Sequence, residues 1–288
     1  MSGPVAVRLP ARPPFDAAGL LAHFAARAVP GVEAVADGEY VRALRLPGGP
    51  GVAGLAADGD GVRCRLWLSD PEDAAAALER CAALLDVDRD PASVVAVLGP
   101  DPLLGPLVRA APGRRVAGSV DGAELAVRAV LGQQVSVAGA TTIAGRLAAA
   151  HGEPVPFGVP GVTRQFPSPE ALAALDPASL PMPRSRARAL IGLCAALAAG
   201  DVDLRPGADP GAAEAALLAL PGIGPWTASY VRMRALRDPD AFPAADLGLR
   251  RALERLGADG SPRAAAALAE RWRPLRAYAA QHLWAVLT

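Results

Sequence analysis

Two different periods of apolar and polar residues run along the 288-residue chain, and the switch between them divides it. In the first part the period is two: Val62, Cys64, Leu66 and Leu68 alternate with Arg63, Arg65 and Trp67, as in a strand with one buried face. Val32 to Ala36 and Tyr40 to Leu46 are also strand-like, with Gly48-Gly49 and Gly59-Asp60-Gly61 as turns. Phe15 to Ala28 has helical spacing instead, with Leu20, Leu21 and Phe24 on one side and Asp16 placed as N-cap. Pro71 to Leu85 reads as a second helix. Residues 1–88 are therefore expected to form an α+β N-terminal domain, an antiparallel sheet with helices on one face.

From Asp90 onward the strand signal fades and helical spacing takes over. One helix runs from Asp121 to Leu131, Gly132 to Ser136 interrupts it, and Val137 to Ala150 resumes. Proline and glycine dominate from Glu153 to Pro169, which reads as a surface loop. Further helices are expected over Arg184 to Ala199, Pro210 to Leu220, from Pro225, Leu247 to Leu256, and Pro262 to Val286. Residues 89–288 are thus expected to be all-α. The two parts should pack on each other, since the first has only a small core of its own.

Composition refines this picture. Of the residues, 52% are hydrophobic, but much of that is alanine, which favours helix more than deep burial. No run approaches the roughly 20 apolar residues that span a bilayer, and the first 15 residues lack the order of a signal peptide, so a soluble cytoplasmic protein without a membrane partner is expected. The net charge is zero, so any nucleic-acid surface must gather its charge locally. Cys64, Cys81 and Cys194 are too widely spaced for a metal site and read as buried reduced thiols; no metal is expected. The chain contains no lysine, so all 29 basic residues are arginine, and a Schiff base through a lysine amine is excluded.

The candidate chemistry lies in LPGIGPWTASYVRMRALRDPDAFPAADLGLR, Leu220 to Arg250. Pro221-Gly222-Ile223-Gly224 makes a tight turn, and Pro225 suits the first position of a helix. Such a helix start attracts anions, phosphate included. By themselves these residues also fit a plain corner between two helices, and Asp246 fits a cap for the helix that follows.

With Gly222, Gly224, Trp226, Thr227, Ala228, Tyr230, Pro243 and Asp246 all in matching places, the stretch resembles the helix-hairpin-helix motif of the DNA glycosylase superfamily. The likeness runs from about Pro13 to Trp284 and is greatest to bacterial 3-methyladenine DNA glycosylase II, through FAARAVPGVEAVADGEYVRAL, VRAVLGQQVSVAGA, MPRSRARAL and AERWRPLRAYAAQHLW. It implies a helical glycosylase domain that removes alkylated bases from double-stranded DNA by hydrolysis. Asp246 would be the catalytic carboxylate, stabilising positive charge on the sugar and orienting water. Trp226, Tyr230, Trp284 and Leu247 would line the base pocket, while Gly222, Gly224, Thr227 and the stack-wedging Gln134 would contact DNA. A leucine wedges in the best-known member, where Leu247 and Ala285 are also replaced by tyrosines, so a roomier or less aromatic pocket is implied. Bifunctional relatives place a lysine where Trp226 stands, so the resemblance implies no lyase activity. It also implies no cofactor beyond a monovalent cation at the hairpin, and no iron–sulfur cluster, since no cysteine follows Cys194. The expected protein is a nucleoid-associated monomer. Two other readings use the same residues: a non-catalytic binder of damaged or distorted DNA, and a glycosylase for deaminated purines such as hypoxanthine.

Overall fold

Period-two alternation builds a five-stranded antiparallel sheet in the order β1-β5-β4-β3-β2. The strands are β1 (Val5–Pro10), β2 (Glu33–Ala36), β3 (Glu39–Leu46), β4 (Gly49–Asp58) and β5 (Gly61–Leu68). These coordinates come from a computed structural model that describes residues 3–287. In β5 the alternation is realised directly, with Val62, Cys64 and Leu66 buried while Arg63 is exposed. Helices α1 (Ala17–Ala25) and α2 (Ala74–Leu85) cover one face, where Leu20, Leu21, Phe24, Cys81, Leu84 and Leu85 meet Tyr40, Leu44, Leu55 and Leu66. Each large side chain so buried contributes about 1.5–3 kcal/mol. Asp16 caps α1 as expected, accepting from the Gly19 amide at 2.9 Å.

Two strands were not among the three read from the sequence. β4 contains Gly49, Pro50, Gly51 and Gly54, which read as punctuation, yet it pairs with β3 on one side and β5 on the other. β1 is an edge strand with mostly exposed side chains, so it lacks the buried alternation that marks β5.

The chain then becomes helical: α3 (Pro91–Leu98), α4 (Gly105–Ala110), α5 (Gly122–Leu131), α6 (Val137–His151), α7 (Pro169–Ala173), α8 (Arg184–Ala199), α9 (Pro210–Leu218), α10 (Pro225–Ala235), α11 (Leu247–Arg255), α12 (Pro262–Ala269) and α13 (Arg276–Trp284). The single helix expected over Pro262 to Val286 is two, separated by a 3₁₀ turn over Glu270–Trp272 and by Pro274, which has no amide to continue the ladder. The segment from Glu153 to Pro169 is less of a surface loop than its composition implies. Val155, Val159, Val162 and Phe166 are buried, and bridges join Pro154 to Arg164 and Gly31 to Val162.

The sheet's second face carries Val41, Ala43 and Val52, which share one core with Val127, Val130 and Leu131 of α5. Beside this contact an ionic network joins the sheet to α5. Arg42 donates to Glu33 at 3.0 Å and to Glu124 at 2.8 Å, and Arg128 donates to the same two carboxylates at 3.0 and 2.8 Å. Burial pushes the Glu33 carboxyl up, but the Arg128 and Arg42 charges outweigh it and hold the group at about 2. The three cysteines are free and buried. Among the described residues no helix is long and apolar enough to cross a membrane.

Candidate active site

The turn between α9 and α10 requires its first glycine. Gly222 has φ +85°, and a Cβ there would lie 2.6 Å from the Ala189 Cβ of α8. Gly224 is different: it precedes α10 in extended conformation, and a Cβ would meet nothing within 4 Å. Its neighbourhood is open, so another backbone can approach α10 closely. Pro225 opens that helix and no side chain caps it, which leaves amides of its first turn for an outside acceptor.

Thr227, expected to touch DNA, is only 2% exposed. Its hydroxyl accepts from Gln133 Nε2 at 3.0 Å, and the same nitrogen donates to the Gly222 carbonyl at 3.2 Å. Gln133 thus ties the α5–α6 loop to the hairpin, a role the sequence reading gave to no residue. The next residue, Gln134, is exposed with φ +57°, at the tip of that loop.

Asp246 stands immediately before α11 and gathers three donors. Its Oδ1 accepts from the Leu249 amide at 2.9 Å and from Trp284 Nε1 at 2.8 Å, and its Oδ2 accepts from Trp226 Nε1 at 2.7 Å. The carboxylate is therefore a helix cap and also a fixed group held by two indoles that lie 58 positions apart in the chain. Gly248 makes room for this. A Cβ there would sit 3.0 Å from Asp246 Oδ1 and 3.1 Å from the Trp284 ring. On α10 the Trp226 ring stacks on Tyr230, with centroids 5.3 Å apart and planes at 14°.

The aromatic rings and the carboxylate face a cleft of about 840 Å³. Trp226, Tyr230, Asp246, Trp284 and Ala285 line it, with Val135 to Val137 from the α5–α6 loop. Leu247 does not: as the first residue of α11 it is 54% exposed and outside the lining. The lining also includes the N-terminal part, with His23 of α1 and Arg27. His23 is a lone histidine in the sequence, with no pattern to mark it. Burial, then the charges of Arg234 and Arg27, push its imidazole down to about 3, so it is neutral near pH 7. Arg184, Arg188 and Arg251 are exposed, whereas Arg250 donates to the Gly260 carbonyl at 2.9 Å. No group of three or more His, Cys, Asp or Glu side chains among the described residues is placed to hold a metal ion.

An open hairpin of backbone amides beside a cleft, with one carboxylate fixed between two indoles, defines a helix-hairpin-helix protein built on a sheet-containing N-terminal unit. Family models extend this. Residues 6–121 match the AlkA N-terminal domain, and residues 127–276 match the HhH-GPD superfamily base excision DNA repair protein. The chain belongs to the HhH-GPD superfamily. It is 36% identical over 278 residues, 95% of this chain and 94% of the relative, to DNA-3-methyladenine glycosylase 2 of Escherichia coli. It is 51% identical over 286 residues to the probable bifunctional transcriptional activator/DNA repair enzyme AlkA of Mycobacterium tuberculosis; that match covers 99% of this chain but spans 58% of the relative's length. The fold matches that of a 3-methyladenine DNA-glycosylase from Archaeoglobus fulgidus with a TM-score of 0.80, at 22% identity and 97% coverage of both chains.

Proposed function

We propose that this chain is a monofunctional DNA glycosylase, one that hydrolyses the N-glycosidic bond of alkylated bases of the 3-methyladenine and 7-methylguanine type and leaves an abasic site. The observation that carries the reading is Asp246, a carboxylate fixed by three N–H donors in the lining of a cleft beside an uncapped hairpin helix. The hairpin amides hold a phosphate of double-stranded DNA and position the duplex without reading its sequence, and the hairpin carbonyls would hold a monovalent cation that would supply positive charge there. The damaged nucleotide is flipped into the cleft, at a cost of a few kcal/mol that a weakened pair lowers. Trp226 and Trp284 then present aromatic surface to a base that carries positive charge. As the bond to the sugar breaks, positive charge develops on the sugar, and the carboxylate stabilises it and orients the attacking water.

The absence of lysine supports hydrolysis without strand cutting, since no lysine amine is present to attack the sugar. A borohydride-trapped adduct between protein and DNA, or efficient incision without added base, would overturn that part. Ala285, a small residue in the lining, favours a pocket that also admits deaminated purines. The protein acts as a nucleoid-associated cytoplasmic monomer.

The deciding experiment compares release of free base from methylated duplex by wild type and Asp246→Asn. Release by the wild type and its loss in the variant support the enzyme. No release from 3-methyladenine, 7-methylguanine or hypoxanthine substrates sinks it and leaves a binder of distorted DNA.

A further inference from the structure

Arg234 lies one turn beyond Tyr230 on α10, lines the cleft and is only 8% exposed. Its guanidinium splits its donors between two parts of the molecule. Nη1 donates to the Tyr230 hydroxyl, and the guanidinium carbon lies 5.4 Å from the centre of the Tyr230 ring. Nε donates to the Ala117 carbonyl at 2.7 Å and Nη2 to the Gly118 carbonyl at 3.1 Å. Those two carbonyls are firmly placed: Ala117 is 2% exposed in the core beneath the sheet, and the Gly118 amide donates to Leu84 of α2 at 2.9 Å. A planar fork with fixed donor directions suits this role, because it holds a phenol in one orientation against an immobile backbone.

The contacts then run in one direction. Arg234 fixes Tyr230, the Tyr230 ring stacks on Trp226, and Trp226 Nε1 donates to Asp246 Oδ2 at 2.7 Å. We infer that Arg234 is a positioning residue of the site, one that anchors the Tyr230–Trp226 stack to the N-terminal part and through it sets the direction of the Asp246 carboxylate. This rests on the glycosylase reading above. A carboxylate displaced by a fraction of an ångström stabilises the sugar cation less well, while DNA held by the hairpin is unaffected.

The test measures single-turnover base release from methylated duplex, and separately the affinity for a duplex holding a tetrahydrofuran abasic-site analogue. Arg234→Met is expected to slow release about 10-fold while changing that affinity less than about 2-fold. Tyr230→Phe is expected to slow release as well, and the Tyr230→Phe/Arg234→Met double variant to be no slower than Arg234→Met, because both act along one path. Arg234→Lys keeps a cation but not the fork, so it is expected to rescue only partly; it carries the test if the methionine variant does not fold. Release at the wild-type rate in Arg234→Met, or singles whose effects multiply in the double, would overturn the inference. So would affinity that falls in step with rate. Near-ultraviolet circular dichroism reads the same stack without catalysis: Arg234→Met should weaken the aromatic signal, and an unchanged signal counts against the inference. A wild type that releases no base defeats the glycosylase reading instead, and the dichroism still decides the role of Arg234.

Discussion

Asp246 does two jobs that a single substitution separates only in part. Asparagine keeps an oxygen for the Leu249 amide but loses the negative charge that both indoles orient. Asp246→Asn is therefore expected to lower base release about 10²–10³-fold, with helix capping largely kept, as kinetics and thermal melting measured together will read. Gly222 makes the opposite case, a residue whose importance is steric. Gly222→Ala would hold an L side chain at φ +85° and press its Cβ to 2.6 Å from Ala189. It is expected to destabilise the fold by about 1–3 kcal/mol and weaken DNA binding, as denaturant melts and duplex titration will test.

Between elements, the α5–α6 loop and the hairpin hold each other through Gln133. Gln133→Ala removes both bonds from that nitrogen and leaves the buried Thr227 hydroxyl without its donor, at a cost of about 1–3 kcal/mol. The expected sign in solution is faster amide exchange at 133–137 and 222–227 with little change elsewhere. At this scale the sequence told most about elements with a clear period and least about contacts between them. The alternation in β5 and the Asp16 cap were legible because each is local. β4 was not, because its glycines and proline read as turn residues and only its two neighbours make it a strand. In the site, the hairpin and Asp246 were legible from spacing and resemblance, whereas the burial of Thr227 and the exposure of Leu247 depend on partners distant in the chain. Gln133, Gly248 and Arg234 have no local signature, since Gln133 and Arg234 bond to atoms many positions away and Gly248 makes room for the distant Trp284 as well as for Asp246.

For the whole molecule the buried ionisable groups predict a particular acid response. His23 and His282 are pushed down to about 3 and about 4, in both cases first by burial and then by arginine charge. Each unfolded histidine takes up a proton near 6.5 that its folded form refuses, so stability present above 6.5 is lost as pH falls toward those values, by up to about 1.4 kcal/mol per pH unit for each group. Glu33 adds a second, later loss: its folded carboxyl sits at about 2 against an ordinary 4.5, so the stability it supplies is complete above 4.5 and disappears as pH falls toward 2. Unfolding free energies measured from pH 7 to 3 should fall throughout, and His23→Phe should flatten the slope between about 6.5 and 4. Glu33→Gln should cost about 3–5 kcal/mol at neutral pH, because Arg42 and Arg128 would keep their buried charges with one fewer counter-ion.

The cleft is lined by α1 and by Glu33 and Arg42 of the sheet, and also by α10, α13 and Asp246 ahead of α11, while the sheet shares a core with α5 through Val41, Ala43 and Val52. Part of the frame of the site is thus an ordinary hydrophobic core that does not line the cleft. A methylene gained or lost at Val41 or Val52 is expected to shift the sheet against α5 without altering a single residue of the lining. The cleft is therefore expected to answer to exchanges in the core that a comparison restricted to its lining residues would miss.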